Sequence, residues 1–185
     1  VTCPNKTTQG AAFWVGIDGL QSTDPTIEQI GTAAQCVKGK PKYYTWYEMY
    51  PAAAVVVSKP VAPGDVFNAI VKGSGKKFTL QISATSGGKA LWGISVVKTA
   101  SSAPKVASAE WIAEAPCTGS PCKLLPLADF GTVNFSKLAF AGKATNTKIG
   151  FTQTQITMAT KGVVRAQPSA LTNAGSAFSI AWLHN

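Results

Sequence analysis

The sequence predicts an all-β protein, a sandwich of two antiparallel sheets, and three observations carry that reading. Short segments alternate apolar and polar residues with a period of two, as half-buried strands do. Gly and Pro interrupt these segments at short intervals, and no stretch of about twelve residues shows a helical stripe. Many short strands without helical crossovers pack as stacked antiparallel sheets.

Taken in order, Phe13-Trp14-Val15-Gly16-Ile17-Asp18-Gly19 and Tyr44-Thr45-Trp46-Tyr47-Glu48-Met49-Tyr50-Pro51 are strand-like and rich in aromatic rings. Between them, Thr26-Ile27-Glu28-Gln29-Ile30 has room for a short helical turn, which sets Gln29 in a turn-like position. Phe67, Ala69 and Val71 alternate toward a reversal at Gly73-Ser74-Gly75, and Phe78 to Ser83 alternates again. Ala90 to Val97 is a more fully apolar strand, and Ser108-Ala109-Glu110-Trp111-Ile112-Ala113-Glu114 is strand-like too. Pro126 to Phe130 has room for one more turn. Thr132 to Phe135, Ile149 to Met158 and Phe178 to Trp182 complete the set. No repeat or linker divides them, so one domain over residues 1–185 is expected.

Composition narrows the class. Apolar residues are 45% of the chain and charged residues 14%, the balance of a globular protein with a real core. No apolar run approaches the roughly 20 residues that cross a bilayer, so no membrane partner is expected. Val1-Thr2-Cys3-Pro4 is polar, which is not how a signal peptide begins; the missing initiator Met suggests a processed or trimmed chain. The net charge of +9 invites a nucleic-acid reading. The lysines are nevertheless scattered, and Arg165 is the single arginine, whereas phosphate recognition favours the guanidinium fork. A solvated basic surface fits better. A monomer is the default expectation.

Cys3, Cys36, Cys117 and Cys122 form an even set. Cys117 to Cys122 reads as a tight turn closed by its own disulfide, leaving Cys3 with Cys36, although four cysteines allow three pairings. Zinc is the alternative, but the spacing is not of zinc-finger type and the lone His184 is penultimate. Disulfides, no metal and a secreted, oxidising setting are expected.

Elimination then acts on the chemistry. An imidazole-dependent triad lacks its histidine, and none of Asp18, Asp24, Asp65 and Asp129 has the flanking residues of a paired-aspartate peptidase. Gly73 to Lys77 is too short for a phosphate loop. Carboxylate chemistry remains, with Glu110, Glu48 and Asp18 best placed. Trp46 and Glu48 share one strand face, as do Trp14, Gly16 and Asp18, and as do Glu110, Ile112 and Glu114. Acids alternating with large aromatics mark a groove.

In chain order, Trp-Val-Gly-Ile-Asp-Gly, Gln29-Ile30-Gly31-Thr32, Trp-Tyr-Glu-Met-Tyr-Pro, Val61-Ala62-Pro63-Gly64-Asp65, Ala-Glu-Trp-Ile and Leu127-Ala128-Asp129-Phe130-Gly131-Thr132-Val133 together resemble the eqolisins, the glutamic endopeptidases. The resemblance implies a concanavalin A-like β-sandwich (jelly roll), polypeptide substrates and no cofactor. It implies that Glu110 is the catalytic glutamate and Gln29 its partner, while Trp14, Asp18, Trp46 and Glu48 line or support the cleft. Water would attack the peptide carbonyl without a covalent intermediate. An unperturbed Glu titrates near pH ~4.3, so an acidic optimum is expected. Met49 stands where the family commonly has a second tryptophan, which bears on substrate preference in that part of the cleft. Glu28 would face away from Gln29's side on an extended backbone but could compete for Glu110's proton in a turn. Two other readings fit a sandwich with aromatics: a carbohydrate-binding module, which has no need of the Gln29 and Glu110 pair, and a glycosidase using Glu48 and Glu110.

Overall fold

The fold is described from a computed structural model, which describes residues 1–4, 6–119, 121–140, 143–144 and 152–184. It is all-β, with a single 3-10 turn at Asn173–Gly175 and no α-helix among the described residues. The chain divides into two compact units. One comprises Val1–Ala11, Gln35–Pro41 and Ala113–Asn185; the other comprises Ala12–Ala34 and Lys42–Ile112.

Eight strands build the sandwich: β1 (Gln9–Ile17), β2 (Ile27–Val37), β3 (Lys40–Tyr50), β4 (Val55–Val57), β5 (Val66–Ser74), β6 (Lys77–Ser86), β7 (Lys89–Thr99) and β8 (Ala109–Glu114). One sheet has the order β4-β3-β2-β1-β8, the other β5-β6-β7. The β5–β6 and β6–β7 pairs are antiparallel, as is β3–β4. Ser74 pairs with Lys77, so Gly75 and Lys76 form a two-residue hairpin loop, with Gly75 at φ +56° where glycine is favoured. The sequence places this reversal one residue early.

Alternation decides what meets in the middle. Phe78, Leu80 and Ile82 on β6 are buried, and Ile30 of β2 and Tyr47 of β3 join them in one core cluster. Val15, Ile17, Met49, Phe67, Trp92 and Ile94 pack around it. At about 25 cal/mol per Å² of buried apolar surface, each such large side chain is worth about 2 kcal/mol, enough to fix which face of each strand turns inward.

The other unit holds a four-stranded sheet and two small ribbons. β9 (Cys117–Thr118) pairs with β10 (Lys123–Leu124), and β12 (Ala139–Phe140) with β13 (Lys143–Ala144). The sheet comprises β11 (Thr132–Ser136), β14 (Met158–Thr160), β15 (Val163–Pro168) and β16 (Ala177–Trp182) in the order β11-β16-β15-β14. Phe135 lies opposite Phe178, their rings stacked at 5.0 Å. Both disulfides lie here, Cys3–Cys36 and Cys117–Cys122, with no free cysteine, so the sequence pairing holds.

Three local expectations are corrected. Gln29 sits within an eleven-residue strand rather than in a turn. Pro126 to Phe130 forms no helical turn but bridges, Leu127 with Gly10 and Asp129 with Thr2. In the expected strand from Ile149 to Met158, residues 149–151 lie outside the described residues; residues 152–157 are not strand, and β14 begins only at Met158.

Candidate active site

The outer face of the five-stranded sheet is set by the parity opposite to the core. On β1 it presents Ala12, Trp14 and Gly16; on β2, Gln29, Gly31 and Ala33; on β3, Tyr44, Trp46 and Glu48; on β8, Glu110 and Ile112. Ala12, Trp14, Ala33 and Trp46 form a buried cluster, with Tyr44 and Ile112 packed against it. The aromatics read as groove-lining in the sequence therefore do share one surface with Gln29, Glu48 and Glu110.

Two glycines make that surface workable. A Cβ at Gly31 would lie 2.1 Å from the Phe13 carbonyl oxygen and 2.6 Å from the Trp14 Cβ. The glycine two residues after Gln29 is thus demanded by the close approach of β1, not by a turn. A Cβ at Gly16 would lie 2.9 Å from the Trp14 ring and 3.3 Å from the Gln29 Cβ. In strand order β1 stands between β2 and β8, so Gln29 and Glu110 are two strand spacings apart, about 10 Å along the sheet. The missing side chain at Gly16 makes room for the Trp14 ring beside Gln29.

The polar groups are individually held. Gln29 is buried, with 6% exposure, and its Nε2 donates to the Glu48 Oε2. A carboxamide nitrogen carries two hydrogens, so one N–H remains, and the Gln29 Oε1 has no partner among the described residues. Burial raises the Glu48 carboxyl above the usual glutamate value, with the Gln29 amide opposing. Glu110 accepts a hydrogen bond from the Ser108 hydroxyl at 3.0 Å. Burial raises Glu110 as well; the Ser108 hydroxyl opposes this, and the charges of Asp24 and Asp18 add to it. The indole N–H groups of Trp14 and Trp46 are buried without partners among the described residues.

Asp18 lies just past β1 with φ +61° and is fully buried. This takes it off the Trp14 and Gly16 face that strict alternation predicts. Its Oδ2 accepts the backbone N–H groups of Lys105 (3.0 Å) and Val106 (2.9 Å), its Oδ1 that of Ala107 (2.7 Å), and its own N–H bonds to the Ser108 carbonyl at 3.1 Å. Asp18 thus fixes the segment that leads directly into Ser108 and Glu110. Asp24 supports the same loop: its Oδ2 accepts from Gly19 and Gln21, and its Oδ1 faces the Lys105 ammonium at 3.1 Å. Burial opposes ionisation of Asp24, but those backbone N–H groups and Lys105 outweigh it and hold the carboxyl below its ordinary value. Sequence reasoning missed Ser108, Asp24 and Lys105. Only the Ser-x-Glu spacing, which puts both side chains on one strand face, was a usable signal. Met49 packs against the core cluster, on the opposite face of β3 from Trp46 and Glu48. Among the described residues no group of three or more His, Cys, Asp or Glu could hold a metal.

A carboxyl and a carboxamide are thus presented with tryptophans on one sheet of a β-sandwich. The sequence model of the Peptidase A4 family matches residues 1–181, and the chain belongs to that family, the eqolisins. It is a hydrolase of the glutamic endopeptidase type, and its substrates are polypeptides. Among solved structures it resembles aspergilloglutamic peptidase from Aspergillus niger, with TM-score 0.77 and 23% identity over 94% of this chain and 99% of that one. It also resembles scytalido-glutamic peptidase bound to a transition-state analog inhibitor, with TM-score 0.77 and 22% identity over 98% and 87% of the two chains. SCP-B, a member of the eqolisin family in complex with the tripeptide Ala-Ile-His, gives TM-score 0.66 and 21% identity over 98% and 86%. At these identities the likeness is one of fold. No curated protein matches the sequence.

Proposed function

We propose that residues 1–185 act as a single-domain, monomeric, secreted acid endopeptidase in which Glu110 is the general base and acid and Gln29 the oxyanion donor. The observation that carries this reading is the Gln29 carboxamide, anchored by Glu48 on the sheet face that also bears Glu110. With one N–H tied to Glu48, the amide plane is fixed and the second N–H is free for a developing oxyanion. A preorganised donor of this kind is worth about 3 kcal/mol in the transition state. Ionised Glu110 takes a proton from a water shared with Gln29, the water attacks the scissile carbonyl, and Glu110 returns the proton to the leaving amine. No covalent intermediate is needed.

Residue types support acid operation. A glutamine stays both donor and acceptor where a second carboxylate would be protonated. Asp18 and Ser108 act as supports for Glu110, and Trp14 and Trp46 support the cleft face on which an extended peptide would lie. The two disulfides suit an oxidising, extracellular setting. A lectin-like reading leaves the Gln29–Glu48 pairing without purpose. A glycosidase reading has Gln29 bonded to one of its two carboxylates.

The test is cleavage of an unfolded protein substrate from about pH 2 to 7, a range that brackets the glutamate reference value, with an aspartic-peptidase inhibitor present. Activity that resists the inhibitor and disappears in folded Glu110→Gln and Gln29→Ala is the expected result. Undiminished cleavage by either variant would overturn the assignment.

A further inference from the structure

Among the described residues, Glu28 is the one buried carboxyl that neither the proposed mechanism nor its supporting loop uses. It precedes Gln29 on β2 and so faces the opposite side of the sheet, toward the sandwich interior, at 0% exposure. Neither of its oxygens has a well-formed hydrogen bond among the described residues. Thr26, two residues earlier on the same face, is also fully buried, and its hydroxyl lies near but makes no properly formed bond. The turn at Asp18 and Gly19 packs onto the neighbouring residue: a Cβ at Gly19 would be 3.2 Å from the Ile27 side chain.

Few other charges reach this layer. A Cβ at Gly31 would meet Trp14, and one at Gly16 would meet Gln29 and the Glu28 carbonyl. This antiparallel register sets Ile17 opposite Glu28 and the buried Asp18 one residue beyond it. β3 brings the buried Thr45 hydroxyl and the Tyr47 phenol, and the Lys98 ammonium of β7 sits 5.3 Å from the centre of the Tyr47 ring. β5 and β6 contribute only apolar side chains to the core cluster. At the rim, Asp24 is matched by Lys105. No cation among the described residues is bonded to Glu28, so its ionised form is left unpaired in the core.

We propose that Glu28 is a positioning residue that acts as a proton lock on the catalytic strand: protonated, it sits neutral beside Asp18, and ionised, it repels Asp18 and loosens that residue's hold on Lys105, Val106 and Ala107. Those three N–H bonds fix the segment entering Ser108 and Glu110. The lock therefore acts on activity through the catalytic reading of Glu110, whereas its effect on the fold does not depend on that reading.

Burial pushes the Glu28 carboxyl from 4.5 up to about 7; the Thr26 hydroxyl opposes this and the Asp18 charge adds to it. A carboxyl raised on folding makes the folded state bind more protons than the unfolded one between those values. Its stabilising effect is complete below about pH 4.5 and is lost as pH rises through about 7. The expected penalty is on the order of 100-fold in the unfolding constant.

The experiment compares parent, Glu28→Gln and Glu28→Leu by urea unfolding from about pH 4 to 8, with amide hydrogen exchange of Val106 and Ala107 at the upper end. Glu48 and Glu110 titrate in all three proteins, so the difference between proteins isolates Glu28. The parent should lose on the order of 100-fold more folding equilibrium than either variant over this range. Its Val106 and Ala107 amides should exchange faster than theirs near the upper end of that range, and the variants should keep activity to higher pH. Should Glu28→Gln not fold, Glu28→Leu carries the same comparison. Equal pH slopes in parent and folded variant, or equal protection of the two amides, would overturn the proposal. Because both readouts work without turnover, they hold whether or not Glu110 proves catalytic.

Discussion

Replacing Asp18 with Asn tests how the strand bearing Glu110 is held. The side chain keeps its shape, and Asn is as much at home at φ +61° as Asp. An amide has one acceptor oxygen where the carboxylate has two. Placed to serve Lys105 and Val106 at 3.0 and 2.9 Å, the substituted amide must point its NH₂ at the Ala107 N–H that Asp18 accepts at 2.7 Å. One orphaned buried donor costs about 1–3 kcal/mol, and each of the two surviving bonds loses charge assistance worth about 1 kcal/mol. Relief of repulsion on Glu110 returns part of this, leaving about 3 kcal/mol. In a chain of this size that is about 6–12 °C in Tm. Urea and thermal unfolding at mildly acid pH measure it. A second readout separates positioning from mere stability. The Asp18 charge helps to raise Glu110, so in Asp18→Asn the acid limb of kcat/KM should move to lower pH even as stability falls. A loss below about 1 kcal/mol together with an unmoved acid limb would refute the reasoning, since both follow from the same buried carboxylate.

Three further outcomes follow, two at the site and one away from it. Ser108→Ala removes the hydroxyl that opposes the rise of Glu110, so the acid limb of the pH–rate profile should move to higher pH, with only about 1 kcal/mol of stability lost. Gly31→Ala puts a Cβ 2.1 Å from the Phe13 carbonyl oxygen; expression and urea unfolding should show a loss of about 3 kcal/mol or more, or no folded protein. Gly93→Ala is the control: its nearest neighbour would be the Ser83 Cβ at 3.5 Å, and stability should stay within about 1 kcal/mol of the parent.

The sandwich was legible because alternation is a direct consequence of burying one strand face, and Phe78, Leu80 and Ile82 obey it without exception. The same rule put Trp46 with Glu48 and Glu110 with Ile112 on shared faces. It was not applied at Gln29, where Thr26 to Ile30 left room for a short turn; Gly31 answers to the backbone of a neighbouring strand, a contact that spacing within one segment does not reveal. Asp18 was legible as important but not as an anchor, since its three partners lie 87 to 89 residues further along the chain. Tertiary hydrogen bonds to backbone carry no side-chain signature. Met49 shows the converse: a motif comparison marks the position, while strand parity assigns it to the core.

β2 is a two-sided text in which adjacent letters carry opposite meanings, Glu28 inward and Gln29 outward. A slip of one residue would exchange them, delivering an acid to Glu48 where an amide now donates and burying the amide in the core. Two carboxyls at that spot would have to share a proton, and Glu48 would lose its amide donor. Gly31 guards against this, because no residue bearing a Cβ can slide past the Phe13 carbonyl at that level. One glycine with no chemistry of its own thus keeps the frame in which the strand is read.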